Sequence, residues 1–128
     1  MRRLLLDTHV LLWWLADDPR LGSRARRLVA DERNAVFVSA TSAWEISIKA
    51  ALGRLEVPPD LDEIVLDEGF DVLPVSFFHG LRAGALPPVH RDPFDRMLIA
   101  QAQAEGLELM TTDGLMREYG VKIVDAAC

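Results

Sequence analysis

The chain has 128 residues, 50% of them apolar, and a formal net charge of −6 at pH 7. Its length suits one domain, residues 1–128, with a real core, and its only cysteine, Cys128, excludes an intrachain disulfide and a zinc finger. The longest apolar stretch, 10–16, is too short to span a membrane, so we expect a cytoplasmic protein, and the acidic balance argues against a broad basic surface for nucleic acid.

Strand-like and helix-like segments alternate along the chain. In chain order we predict strand 4–6, helix 10–16, helix 23–32, strand 35–38, helix 41–52, helix 60–68, strand 70–75, helix 76–85, helix 93–105, strand 107–110, helix 115–119 and strand 121–124. This alternation favours an α/β fold in which a mainly parallel sheet of about five strands is covered on both faces.

The helix over 93–105 has the clearest boundaries. Asp92 is a good N-cap, Pro93 suits the first helical turn, and Gly106 follows the last residue. The tryptophans Trp13, Trp14 and Trp44 are expected to pack mostly in the core, although adjacent Trp13 and Trp14 cannot both face inward from one helix.

Four acidic residues follow strands or begin helices, which places them at one predicted edge of the sheet. They are Asp7, Glu45, Asp95 and Asp113. In open α/β sheets, sites form beyond the carboxyl ends of the strands. Converging carboxylates repel one another unless they hold protons or a cation, so the pattern predicts a site for a hard divalent metal.

Two of these acids lie on predicted helices and have different alternatives. Glu45 stands three residues after Ser42, the spacing of a capping box, and four before Lys49, the spacing of a helical ion pair. For Glu45, structural and functional interpretations are balanced. Asp95 shares the apolar face of its helix with Leu98, where a carboxylate without a partner is costly, so a functional role is favoured.

The remaining polar candidates also have structural alternatives. Asp7 or Thr8 could cap the next helix, and Asp113, before a glycine, could be a turn residue. For Asp92 the N-cap role is sufficient, and we predict at most a supporting position near the site. His9, His79 and His90 show no metal-ligand spacing.

Four motifs in this order resemble those of the PIN-domain ribonucleases, and more narrowly the VapC toxins of bacterial toxin–antitoxin pairs. They are Leu5-Leu6-Asp7-Thr8, Ser42-Ala43-Trp44-Glu45-Ile46, Asp92-Pro93-Phe94-Asp95-Arg96-Met97-Leu98-Ile99-Ala100 and Thr111-Thr112-Asp113. The resemblance covers the whole chain. It implies a three-layer α/β/α fold around a parallel sheet.

The resemblance also implies a function and a set of partners. Mg²⁺ or Mn²⁺ would be held by Asp7, Glu45, Asp95 and Asp113, with Thr111 as a supporting hydroxyl. Metal-activated water would then hydrolyse RNA phosphodiester bonds internally. A VapB-like antitoxin and a homodimer or toxin–antitoxin hetero-oligomer are the expected partners and assemblies.

Basic residues near the acids are candidates for binding substrate phosphates. We assign this role to Lys49, Arg91 or Arg96 from their positions alone. Two further functions remain open, a PIN-like domain that mainly binds protein and a housekeeping RNA-processing nuclease. An aspartyl-phosphate phosphatase would need an aspartate two residues after Asp7, where this chain has His9.

Overall fold

Five short strands lie at the centre of the computed structural model, which describes residues 1–128. They are β1 (Arg3–Leu6), β2 (Ala35–Ser39), β3 (Asp71–Leu73), β4 (Glu108–Thr111) and β5 (Ile123–Asp125). Their order across the sheet is β3-β2-β1-β4-β5, and every neighbouring pair is parallel. The predicted parallel sheet of about five strands is therefore confirmed.

Helices occupy the connections between the strands. They are α1 (Thr8–Leu15), α2 (Ser23–Ala30), α3 (Ala40–Ala51), α4 (Leu61–Asp67), α5 (Phe77–Ala85) and α6 (Pro93–Glu105). The segment Gly114–Tyr119 is a 3₁₀ helix. The predicted strand 70–75 is shorter than expected, because β3 ends before Pro74, whose nitrogen cannot donate to a strand ladder.

The two faces of the sheet are covered by different helices, which gives three layers. Leu4 and Leu6 of β1 pack in a cluster with residues of α1 to α4, whereas Leu5 packs on the opposite face with residues of α6. This alternation follows from the two-residue period of a strand. Helix α5 lies against α6 on that second side.

The topology creates a switch point between β1 and β4. From β1 the chain moves to β2 and then β3 on one side, and it returns through α5 and α6 to β4 on the other side of β1. Segments leaving the carboxyl ends of β1 and β4 therefore diverge and leave a crevice between them. None of the helices has the length and apolar character needed to cross a membrane.

The tryptophans are less buried than predicted. Trp13 and Trp14 are half-buried against the larger core cluster. The expectation for Trp44 is wrong, since its side chain is 63% exposed and packs edge-to-face on Phe94. Trp44 precedes Glu45 on α3, and the buried face of that helix carries Ser42, Glu45 and Ile46.

Candidate active site

Asp7 lies at the junction of β1 and α1 and is only 3% exposed. Its carboxylate accepts hydrogen bonds from the Thr8 backbone N–H (2.7 Å) and from the Thr111 hydroxyl (2.6 Å). Thr111 is the last residue of β4, so this bond joins the ends of the two central strands. The predicted capping role of Asp7 and its place at the sheet edge both occur in the structure.

Asp113 continues the same set of hydrogen bonds. Its backbone N–H donates to the Thr111 hydroxyl oxygen (3.0 Å), and its Oδ1 accepts from the Leu115 N–H (3.0 Å) at the start of the 3₁₀ helix. Thr111 thus contacts both acids and holds Asp113 beside Asp7.

Glu45 enters the site from α3 and is 6% exposed. Its Oε2 accepts a hydrogen bond from Lys49 Nζ at 2.6 Å, which is the ion pair that the sequence predicts. The alternative capping box is absent, because the N-cap of α3 is Ser39. The Glu45 Oε1 atom is buried and has no hydrogen-bond partner. Such an atom is costly unless a further donor or a cation reaches it.

Asp95 lies in the first turn of α6. Its backbone N–H donates to Asp92 Oδ1 (3.3 Å), and Asp92 caps the helix as predicted. Its carboxylate, in contrast, lies against His90, with Asp95 Oδ2 and His90 Nε2 3.2 Å apart.

His90 is a member of this site that its sequence spacing did not reveal. Its Nε2 lies 2.7 Å from Asp113 Oδ2 as well as 3.2 Å from Asp95 Oδ2. One potential ligand atom from each of these three residues falls within 4.8 Å of the other two. The only signal in the sequence is position, since His90 precedes the N-cap Asp92 in a connection that ends at the edge where the acids lie.

The electrostatics of the acids indicate a shared environment. Burial, together with the charges of Asp7, Asp92 and Glu45, raises the pKa of Asp95 to about 7, although His90 acts in the opposite sense. Burial also raises the pKa of Asp7, with a contribution from Glu45, and this increase is partly offset by His9 and by the hydrogen bonds from Thr111 and Thr8. The carboxylates therefore destabilise one another when all are ionised.

A divalent cation fits this donor set. The charge of Glu45 contributes to the raised pKa values of both Asp7 and Asp95, and Glu45 presents an unpartnered oxygen. Hard cations such as Mg²⁺ and Mn²⁺ bind carboxylate oxygens, and their charge would relieve the repulsion that adds to the effect of burial on these pKa values.

Two further residues predicted from the sequence, Thr8 and Lys49, lie next to the acids. The Thr8 hydroxyl hydrogen-bonds to that of Ser42 at 2.8 Å, which ties α1 to α3 beneath the acids. Lys49 is half-exposed, and its hydrogen bond to Glu45 raises its pKa, with further contributions from the charges of Asp92 and Asp95. It therefore lies at the edge of the acidic site.

The contacts of Arg96 do not favour the predicted role in binding phosphate. Its guanidinium donates to backbone carbonyl oxygens in the last turn of α5 and in the connection between α5 and α6. These belong to Ala83, Gly84, Leu86, Pro87 and His90. Because its donors are used in this way, Arg96 holds the connection in place. Its position next to Asp95 in the sequence did not indicate this.

The chain is similar to a family model, to a relative of known sequence and to several solved structures. A family model described as the PIN domain matches residues 4–126. Ribonuclease VapC22 of Mycobacterium tuberculosis is 32% identical over 93% of each chain. Solved structures with a similar fold include VapBC2 of Rickettsia felis bound to a promoter DNA fragment (TM-score 0.70, 14% identity, 95% and 97% coverage). DNA-bound VapBC of Salmonella typhimurium has a TM-score of 0.69 at 19% identity and full coverage of both chains.

Proposed function

The chain belongs to the PIN-domain family, and we propose that it is a divalent-metal-dependent endoribonuclease that acts as the toxin of a toxin–antitoxin pair. The main support is the grouping of the Asp7, Glu45 and Asp95 carboxylates. Burial, together with the charges of neighbouring carboxylates, raises the pKa of both Asp7 and Asp95. The ribonuclease name of a relative 32% identical over 93% of the chain gives independent support.

In this proposal Asp7, Glu45, Asp95 and Asp113 hold Mg²⁺ or Mn²⁺. When bound by these residues, such a cation would supply a water of lowered pKa and would neutralise charge on the scissile phosphate. The chain's own residues fix the ligands: Thr111 orients Asp7, and the helix cap at Asp92 orients the first turn that carries Asp95. Glu45 Oε1 has no hydrogen-bond partner in the protein, so no hydrogen bond would compete with a cation for this atom.

Substrate binding needs positive charge next to these acids. Lys49 is the candidate, since it is half-exposed and its pKa is raised by Glu45 and by the charges of Asp92 and Asp95. Its ammonium would bind a phosphate oxygen once the carboxylates hold a cation. With a net charge of −6 on the whole chain, such local positive charge must bring the RNA backbone to the site.

The decisive experiment is cleavage of a mixed pool of cellular transfer and ribosomal RNA by the purified protein. We expect cleavage with Mg²⁺ or Mn²⁺, none in EDTA, and recovery when the metal is restored. Ca²⁺ should support little cleavage, because its larger and more flexible shell positions water less well. Asp95→Asn, purified in parallel, controls for contaminating nucleases. Equal cleavage by this variant, or undiminished cleavage in excess EDTA, would contradict the proposal.

The proposed partner is a VapB-like antitoxin, alone or together with a second copy of the chain. Exposed apolar side chains support a protein partner, among them Trp44 and Phe77, which are 63% and 85% exposed. A groove of about 430 Å³ beside His9 is lined by apolar residues that include Leu12, Trp13 and Val57. The acidic surface suits a partner segment with basic residues.

Growth after induction tests the toxin role. The wild-type chain should slow growth when it is expressed alone and should be tolerated together with the adjacent small gene. Asp95→Asn should be tolerated in both cases. If wild type and Asp95→Asn slow growth equally, the toxicity does not come from this site. If neither does so although the purified wild type cleaves RNA, the chain is a housekeeping nuclease.

A further inference from the structure

We propose that His90 is a positioning residue that donates its Nε2–H to Asp113, keeps the same ring nitrogen against Asp95, and so holds these two carboxylates together for cation binding. This inference rests on the proposed function and deepens it. It assigns to the centre a nitrogen donor that orients the acidic ligands without itself binding the metal.

The position of the imidazole carries the first part of the argument. Its Nε2 lies 2.7 Å from Asp113 Oδ2 and 3.2 Å from Asp95 Oδ2, and the His90 side chain is only 11% exposed. Asp113 follows β4, whereas Asp95 lies on α6. His90 therefore bridges acids from two separate elements, at a place where two carboxylates without a donor between them would repel.

The other ring nitrogen indicates which way the bonds run. His90 Nδ1 accepts the backbone N–H of Asp92 at 3.3 Å. A neutral imidazole carries one N–H, so with Nδ1 as an acceptor the hydrogen is on Nε2. His90 Nε2 is then a hydrogen-bond donor to Asp113, and it has no free lone pair for a metal.

The backbone of His90 is fixed on both sides of the residue. Its N–H donates to the Tyr119 hydroxyl at 2.6 Å, and that hydroxyl donates in turn to the Pro87 carbonyl at 2.8 Å. Its carbonyl oxygen accepts from Arg96 at 3.0 Å. The imidazole is thus held in place before any cation arrives, as effective outer-shell groups around metal sites are.

Positioning by His90 is compatible with metal binding by the same acids. A carboxylate offers about four lone-pair sites on its two oxygens. Asp113 uses one for His90 and one for the Leu115 N–H, whereas Asp95 Oδ2 lies 3.2 Å from His90 Nε2 without a hydrogen bond. Both acids keep further lone pairs for a cation, and hydrogen bonds from the outer shell fix which way these lone pairs point.

A matched set of substitutions tests this role through Mn²⁺ binding, measured by titration calorimetry on the purified full chain. His90→Gln places an amide N–H₂ close to the position of Nε2, whereas His90→Asn reaches only the position of Nδ1. We expect His90→Asn and His90→Ala to bind Mn²⁺ about 10- to 100-fold more weakly than wild type, and His90→Gln to stay within about threefold of it. Circular dichroism in EDTA verifies that each variant is folded.

Electron spin-echo measurements on bound Mn²⁺ provide a second readout. Wild type should show no coupling to a directly bound ¹⁴N nucleus, since His90 donates to Asp113. A ¹⁴N coupling that disappears in His90→Ala would make His90 a ligand and overturn the proposal. Equal loss of affinity in the Gln and Asn variants, or no loss in any variant, would overturn it as well.

The same samples separate failure of this inference from failure of the proposed function. If wild type neither binds Mn²⁺ nor cleaves RNA, the proposed function fails, and the role of His90 falls with it. If wild type does both and every His90 variant binds Mn²⁺ equally well, only the positioning role is wrong.

Discussion

The two sides of the acidic site are held by different kinds of interaction. The strand-side pair, Asp7 and Asp113, follows the central strands and accepts hydrogen bonds from backbone N–H groups, and Thr111 contacts both residues. The carboxylates of the helix-side pair, Glu45 and Asp95, have charged or polar side chains as partners: Lys49 for Glu45, and for Asp95 His90, which Asp113 also contacts. The fold itself therefore sets the strand side, whereas the helix side is set by charge and should respond more strongly to pH and to cations.

The largest expected effect is on RNA cleavage, and it should be similar for the two sides because the proposed reaction needs both. Asp7→Asn and Asp95→Asn each delete one proposed anionic ligand and keep nearly the same shape. We expect each to reduce RNA cleavage by about 100-fold or more, the scale seen when one preorganised electrostatic group is lost. Cleavage rates and circular dichroism on the same preparations measure this. Retained activity in either variant would show that its side of the site is dispensable.

A strand-side change should act mainly on stability. Thr111→Val keeps the shape of the side chain but removes the donor to Asp7 Oδ2 and the acceptor for the Asp113 N–H. Since both groups then lose a partner in a buried setting, the free energy of unfolding should fall by about 2 kcal/mol. Urea denaturation with and without Mn²⁺ gives this value. A loss below about 0.5 kcal/mol would mean that the strand side is not held by Thr111.

On the helix side, the stability of the metal-free protein should depend on pH through Asp95. The pKa of Asp95 is about 7 in the folded protein, compared with an ordinary value of 3.8. Between these values the folded state binds more protons than the unfolded state, so the stability of the metal-free protein falls as pH rises through this window and levels off above pH 7. The full shift corresponds to about 4 kcal/mol, which solvent screening of a partly exposed carboxyl reduces to about 1 to 2 kcal/mol.

Denaturation in EDTA at pH 5 and pH 8 measures this decrease. Asp95→Asn should flatten the profile and raise the melting temperature at pH 8. Asp7→Asn should stabilise less, because its amide cannot accept from both the Thr8 N–H and the Thr111 hydroxyl as the carboxylate does. An unchanged pH profile in Asp95→Asn would contradict the assignment of this effect to Asp95.

The smallest expected effect concerns Lys49. Lys49→Met leaves the second carboxylate oxygen of Glu45 without its partner, in addition to the unpartnered Oε1. Because Lys49 is half-exposed, the loss in EDTA should be only about 1 kcal/mol. Saturating Mn²⁺ should restore wild-type stability if Glu45 binds the cation. A loss that Mn²⁺ does not reduce would argue that Glu45 stays outside the metal site.

The sequence was most informative where local signals coincide with the chain's topology. Asp92 and Pro93 marked the start of α6, and Asp7 and Asp113 could be assigned to strand ends because their apolar strands are clear. The order of the strands could not be derived, since it depends on which side of β1 each crossover returns. The exposure of Trp44 could have been inferred from the helix, because the buried face carries Ser42, Glu45 and Ile46.

His90 and Arg96 were beyond the reach of sequence patterns for another reason. Both act through the connection between α5 and α6, where contacts depend on the path of an irregular chain. His90 reaches Asp113 across 23 positions of sequence, and Arg96 binds carbonyl oxygens up to 13 positions away. No periodicity encodes such pairs. Contacts of this kind become visible only when the loop's course is known.

The guanidinium of Arg96 has a consequence for how this protein opens locally. A single side chain binds three carbonyl groups of the connection before α6 and two in the last turn of α5. Lysine could not replace it, since a point charge lacks the planar fork that reaches several acceptors at once. Breaking these bonds would free the connection as a unit while the sheet stays intact, and amide hydrogen exchange would be fastest there. Such subglobal opening would carry His90 away from the acids and expose the chain to proteolysis long before global unfolding.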